Sequence, residues 1–223
     1  MTRALLPLLL TLPTVAHAGW DDPITSALTG CEADPAPCDA VNNLLIRETR
    51  AGTWMVQDEA LEDPAIIGPL LHRVQSTDEP QRKGALVGAL VRILPDSDPV
   101  WHPAFIALAA AETDDDVRVI WLRGMRRAPP SVAQPVLTAG LQHEDETSRR
   151  HAAQTMAGHA TLHEFVPALL ARATDEAPLV RAAVARALGW SADPRAAATL
   201  DIMQTDADAV VRERAAAARD RLR

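Results

Sequence analysis

Acids and arginines recur together along this 223-residue chain. Asp78 with Arg82, Asp114 with Arg118, Glu146 with Arg149, Asp175 with Arg181 and Asp208 with Arg212 each set a carboxylate in a turn and a guanidinium in the segment that follows. A carboxylate at a helix start accepts from the free N–H groups there, and a guanidinium bonds bidentately to carbonyls or carboxylates. In a row, such pairs make either a structural ladder or an anion-binding row. His159 and His163 have the i, i+4 spacing that puts two imidazoles on one helical face. Gly158 ends a helix beside them and no third ligand follows, so the reading is a solvated pair. Asp96, Asp98 and the Asp114–Asp116 run lack the glycine and distal glutamate of a calcium loop and read as solvated acids. Gly-x-Ser-x-Gly, phosphate-loop and dinucleotide-loop patterns are missing from the sequence. The expectation is therefore no catalytic residue, no metal site and no cofactor.

The elements that carry these residues follow from a period. Val117-Arg118, Ser148-Arg149, Val180-Arg181 and Val211-Arg212 stand 31, 32 and 31 residues apart. A second series, Pro69, Pro103, Pro135, Pro167 and Ala198, runs at 34, 32, 32 and 31. A period in that range is the mark of stacked repeats. Pro64, Pro99, Pro130 and Pro194 stand where a first helix would begin, with Asp63, Asp98 and Asp193 as caps. The second proline, four or five residues later, predicts a bend or a late start. The second helix carries apolar residues at helical spacing: Val180, Ala183, Val184, Ala187 and Leu188 in one copy, Val117, Ile120, Trp121 and Met125 in another, Val211, Ala215 and Ala218 in a third. Stripes on both helices are buried only by stacking one unit on the next.

This pattern, proline and leucines, acidic turn, Val-Arg, then Ala-Leu-Gly as at Ala187–Gly189, resembles HEAT repeats, particularly short, Ala-rich bacterial ones of the bilin-lyase type. The resemblance covers 64–223 as five units, 64–96, 97–128, 129–159, 160–191 and 192–223. The second departs in its Asp114–Asp116 run and the third has Ser148 in place of valine. It implies an all-α, right-handed α-solenoid of about five to six HEAT-like helical hairpins, in which the ten acids and arginines above form a ladder between units. It also implies a concave face lined by the second helices. Lys83, Arg123, Arg127, Arg150 and Arg186 fall near the exposed side of those helices, with Trp190 at one end. They would make a mildly basic strip for an acidic or extended peptide, the alternative being scattered solvated arginines. The HEAT-like deoxyhypusine hydroxylases hold iron with repeated His-Glu motifs, but His143-Glu144 and His163-Glu164 occupy different places in the repeat and do not support such a site.

Composition agrees with helices packed through small residues: 48% hydrophobic, 3% aromatic, no tyrosine. A formal charge of −8 argues against nonspecific nucleic-acid binding. Arg3, the apolar run Ala4–Val15 and Ala16-His17-Ala18 read as a cleaved signal peptide over 1–18, too short and too broken by Pro7 and Pro13 to anchor in a membrane. Export gives Cys31 and Cys38 a disulfide reading. Residues 19–63 read as a degenerate capping repeat. One helix runs from Asp22-Pro23 to about Gly30, a second runs from Asp39 through Val41, Leu44, Leu45 and Thr49, and 51–63 is a connection with a helical turn. The expected function is a noncatalytic, periplasmic or extracellular protein-interaction scaffold. The alternative is a bilin-lyase-like or other enzyme-associated activity, and a structural subunit of an envelope assembly is a third reading.

Overall fold

Acidic or proline-bearing turns start nearly every helix, and the small residues within the helices let them stack closely. A computed structural model of the chain describes residues 46–48, 54–56, 61–62 and 66–222. The signal segment 1–18 and the Cys31–Cys38 pair lie outside the described residues. Among the described residues ten α-helices follow one another: α1 (Ile67–Gln75), α2 (Pro80–Ile93), α3 (His102–Ala111), α4 (Asp115–Gly124), α5 (Pro130–Gln142), α6 (Glu146–Met156), α7 (Leu162–Ala171), α8 (Pro178–Trp190), α9 (Ala196–Met203) and α10 (Ala209–Arg221). Short 3-10 turns stand at Leu94–Asp96, Pro99–Trp101 and Met125–Arg127.

Consecutive helices pair, and the pairs stack in two layers. One layer runs α1, α3, α5, α7, α9 and the other α2, α4, α6, α8, α10. This is an all-α solenoid of helical hairpins. One continuous apolar core threads it from Ile66 to Ala218, and Val180, Val184, Ala187 and Leu188 are fully buried within it. The prolines act in two ways. Helices α1 and α3 start late, so that Pro69 and Pro103 fall in the first turn, where no N–H is needed. Helices α5 and α7 run on through Pro135 and Pro167.

The N-terminal side departs from the expected helix. Ile46–Glu48 and Trp54–Val56 form an antiparallel two-stranded pair, β1 and β2, with Ile46 opposite Val56 and Glu48 opposite Trp54. β2 packs on α2. The helix read through Thr49 is thus corrected over Ile46–Glu48, and the connection read over 51–63 contains a strand. Leucines at helical spacing around Leu44 could not settle a short segment. Ile46, Thr49, Thr53, Trp54 and Val56 favour extended backbone, with Gly52 between the two runs.

Among the described glycines, Gly189 of α8 is the one that meets the backbone of the next unit. A Cβ there would lie 2.5 Å from the Ala218 Cβ and 2.6 Å from its Cα in α10. Backbone cannot give way as a flexible side chain would. Gly189→Ala is therefore expected to lower stability by about 1–3 kcal/mol, read by urea denaturation followed by circular dichroism.

Candidate functional site

The acids of these turns do two kinds of work. Asp114, Asp145 and Asp208 are N-caps, accepting from Val117 N, from Ser148 N, and from Val210 N and Val211 N. Glu79 caps α2 in the same way. The second kind stands two residues before the cap position. Glu112 accepts from Asp114 N, Asp175 from Ala177 N and Asp206 from Asp208 N, so each side chain closes its own turn.

Six residues after each of these positions comes a cation. Arg118, Arg149, Arg181 and Arg212 all donate to the carbonyl six residues back, on Glu112, His143, Asp175 and Asp206 at 2.7–3.0 Å. Two of these side chains reach forward to the next unit. Arg149 grips Asp175 through Nε at 2.9 Å and Nη2 at 3.1 Å, and Arg181 grips Asp206 at 2.7 and 2.8 Å. Lys83 reaches Glu112 at 3.0 Å. A fork held by backbone carbonyls on one side and a carboxylate on the other is pre-set for bidentate binding.

The charges respond accordingly. Burial pushes the Asp175 carboxyl up, but the bonds from Arg149 and Ala177 outweigh it and hold the group below the usual carboxylate range. Asp206 is held low chiefly by Arg181. The bond to Asp175 raises Arg149 and the bond to Asp206 raises Arg181.

The family model described as HEAT repeats matches residues 134–219. Residues 134–219 carry HEAT repeats. Comparison with curated proteins finds no match.

The HEAT ladder differs from the sequence reading in its partners. Asp175, Arg149 and Arg181 are ladder residues, with Arg149 paired to Asp175 and Arg181 paired onward to Asp206. Asp114 and Asp208 are caps, and Glu146 opens α6. Arg212 makes the carbonyl contacts only. Asp78 is exposed, and Arg82 stands one residue before the ladder cation Lys83. Lys83 was expected on the partner-facing strip and is corrected to the ladder, because its Nζ is taken by Glu112. Rung acids and caps alternate every two residues, so spacing alone did not separate them.

The second helices do present a basic strip. Counted from the ladder cations, positions one, five and nine residues on hold Arg92, Arg123, Arg127, Arg150, Arg186 and Arg221, with Glu213 as the single acid. Arg92, Arg123, Arg127, Arg186 and Arg221 are exposed and Arg150 is half-buried. Arg123, Arg127 and Arg186 make no ion pair with any described residue. Burial and then the charges of Arg150 and Arg123 hold His151 below the usual imidazole value, which places both arginines close to that ring. Trp190 is 53% exposed. The Arg221 guanidinium lies 4.8 Å from the centre of its ring, a cation–π contact across the last two units. Arg92 and Arg221 escaped sequence reading, although the nine-residue offset shared with Arg127 and Trp190 would have found them.

His159 and His163 are not a pair. His159 is buried, its Nε2 donating to Ala128 O at 3.0 Å and its Nδ1 accepting from Thr161 N at 3.1 Å. Its ring also stands edge-on to Phe165. His163 lies out in solvent beside Glu164. Among the described residues no group of three His, Cys, Asp or Glu could hold a metal ion, and no helix is long and apolar enough to cross a membrane.

Proposed function

We propose that this HEAT-repeat chain is a noncatalytic scaffold for protein interaction. Its binding surface is the strip Arg123, Arg127, Arg150, Arg186 and Trp190, extended by Arg92 and Arg221, and its partner presents an acidic, extended segment. The observation that carries this reading is that Arg123, Arg127 and Arg186, exposed along one row, make no ion pair with any described residue, on a chain of formal charge −8. Solvated cations of the same sign along one face attract an acidic segment and raise its association rate. Arginine and tryptophan also supply most of the affinity at interfaces where they are buried on binding. The ladder holds this face in one shape, so little ordering remains to be done when a partner arrives.

The scaffold is proposed to work outside the cytoplasm, after removal of 1–18. Sequencing the N-terminus of the protein recovered from its source tests this, with Gly19 the expected first residue. The partner surface is tested by the pair Arg123→Glu and Arg186→Glu. A protein partner captured by the wild-type chain is expected to bind at least about tenfold more weakly, chiefly through a slower association rate that falls with salt. Neither side chain makes an ion pair, so thermal stability should stay unchanged. Unchanged affinity would overturn the assignment of the strip, and a stoichiometric chromophore in the purified protein would favour a lyase-like activity.

A further inference from the structure

The HEAT ladder has a gap. Between the second and third units the residue at the carboxylate position is His143. Its Nδ1 accepts from Asp145 N at 3.1 Å, as Glu112, Asp175 and Asp206 accept from the residue two ahead of them. The imidazole therefore closes the turn but offers the arginine nothing, because its other nitrogen, Nε2, then carries the proton. Arg118, whose equivalents Arg149 and Arg181 each donate from Nε to the next unit, bonds no described residue through its own Nε. It has turned Nη1 to Asp115 on its own helix, an acid that is 69% exposed. The Arg118 residue itself is only 9% exposed.

Beneath this gap lies a cavity of about 110 Å³ between α3, α4 and α5. Its walls are apolar, with Ile106, Trp121 and Val136 among them, and its polar edge is Glu112, Arg118 and His143. Glu112 is neutralised by Lys83. Arg118 and His143, whose Nε and Nε2 bond no described residue, thus line one apolar cavity at the place where neighbouring units hold a carboxylate.

We propose that this cavity binds a small carboxylic acid with a compact apolar tail. The carboxylate accepts from Arg118 and His143 in the position Asp175 and Asp206 occupy further along, and Asp115 swings into solvent. The tail enters the cavity. An apolar cavity of roughly 150 Å³ accepts benzene, so this one takes a branched tail of about four carbons. The site is independent of the arginine strip, which lies on the exposed side of the second helices.

The test is a titration of the full chain with 3-methylbutanoate at pH 7, followed by calorimetry and by the Trp121 indole resonance. Binding is expected with a Kd below about 1 mM, and the neutral 3-methylbutanamide should bind at least about tenfold more weakly. His143→Asp provides the missing rung from within the chain. It should abolish binding while raising the melting temperature, which separates loss of the site from loss of the fold. An N-acetylated dipeptide ending in leucine is the second probe. Binding of the dipeptide alone would place the carboxylate at a protein C-terminus, and binding of the free acid alone would make the ligand a metabolite-sized acid; both support the site. The proposal is overturned if neither acid binds, if the amide binds equally well, or if His143→Asp leaves affinity intact.

Discussion

Replacing Asp175 with alanine is expected to lower stability at pH 7 by about 3–5 kcal/mol, among the largest effects of any single change. The Arg149 side chain is 5% exposed and its partner 1%. Removing the carboxylate leaves a buried guanidinium with its Nε donor unpaired and its Nη2 held only by the exposed Glu176 at 3.2 Å, and it frees the N–H of Ala177 as well. The magnitude reports that penalty, and the pair itself contributes less: Arg149→Met combined with Asp175→Leu should recover most of the loss. Urea denaturation of the two variants separates the terms. The pH dependence follows from the same contact. The folded carboxyl of Asp175 is depressed below the roughly 3.9 of an unfolded aspartate, so its contribution is fully present above that value. It is lost as pH falls through the folded value. Asp206, depressed chiefly by Arg181, adds to the same acid limb. Stability measured from pH 6 down to pH 2 should therefore fall less steeply in Asp175→Asn than in the wild type. Equal slopes would mean that the rung does not depress the carboxyl.

The second large effect is at Trp121, where alanine should cost about 3–5 kcal/mol. The indole is 1% exposed and stands edge-on to Phe105, with ring centres 6.4 Å apart and planes at 88°. It fills the space between α3 and α4, and it already borders a cavity, so truncation enlarges a void that its neighbours do not close. The indole N–H is buried without a hydrogen-bond partner. Phenylalanine at this position loses ring volume but also removes that unsatisfied donor, so Trp121→Phe should cost less than half as much as Trp121→Ala. Thermal melts of the two variants, read by circular dichroism at 222 nm, decide between volume and polarity as the governing term.

Much of this molecule is written along one dimension. Helix starts are local chemistry: Pro80, Pro130 and Pro178 open helices, and Asp114, Asp145 and Asp208 close the first turn by bonds two or three residues long. The buried stripe of α8 is readable because helical spacing places Val180, Val184 and Leu188 on one side, and a period of 31–32 residues repeats that side from unit to unit. Stacked repeats follow from those two facts, since neither helix of a pair can bury its stripe alone. Even the arginine strip was legible in outline, because residues four apart on a helix share a face.

What the tertiary structure decided are the contacts that join units. Arg149 meets Asp175 across 26 residues and Arg181 meets Asp206 across 25, while each also has an acid close at hand in its own turn. Local spacing favours the near acid; stacking selects the far one, because only the next unit approaches the fork from the open side. Lys83 on the ladder, Arg221 over Trp190 and the β1–β2 pair are decided in the same way, by neighbours distant in sequence. So is the meaning of His143. In the sequence it is a histidine beside a glutamate. In the stack it occupies a carboxylate's place, closes the turn as a carboxylate would, and leaves Arg118 without a partner from the next unit. Periodicity reports which residues are equivalent, and three-dimensional contact reports where equivalence fails.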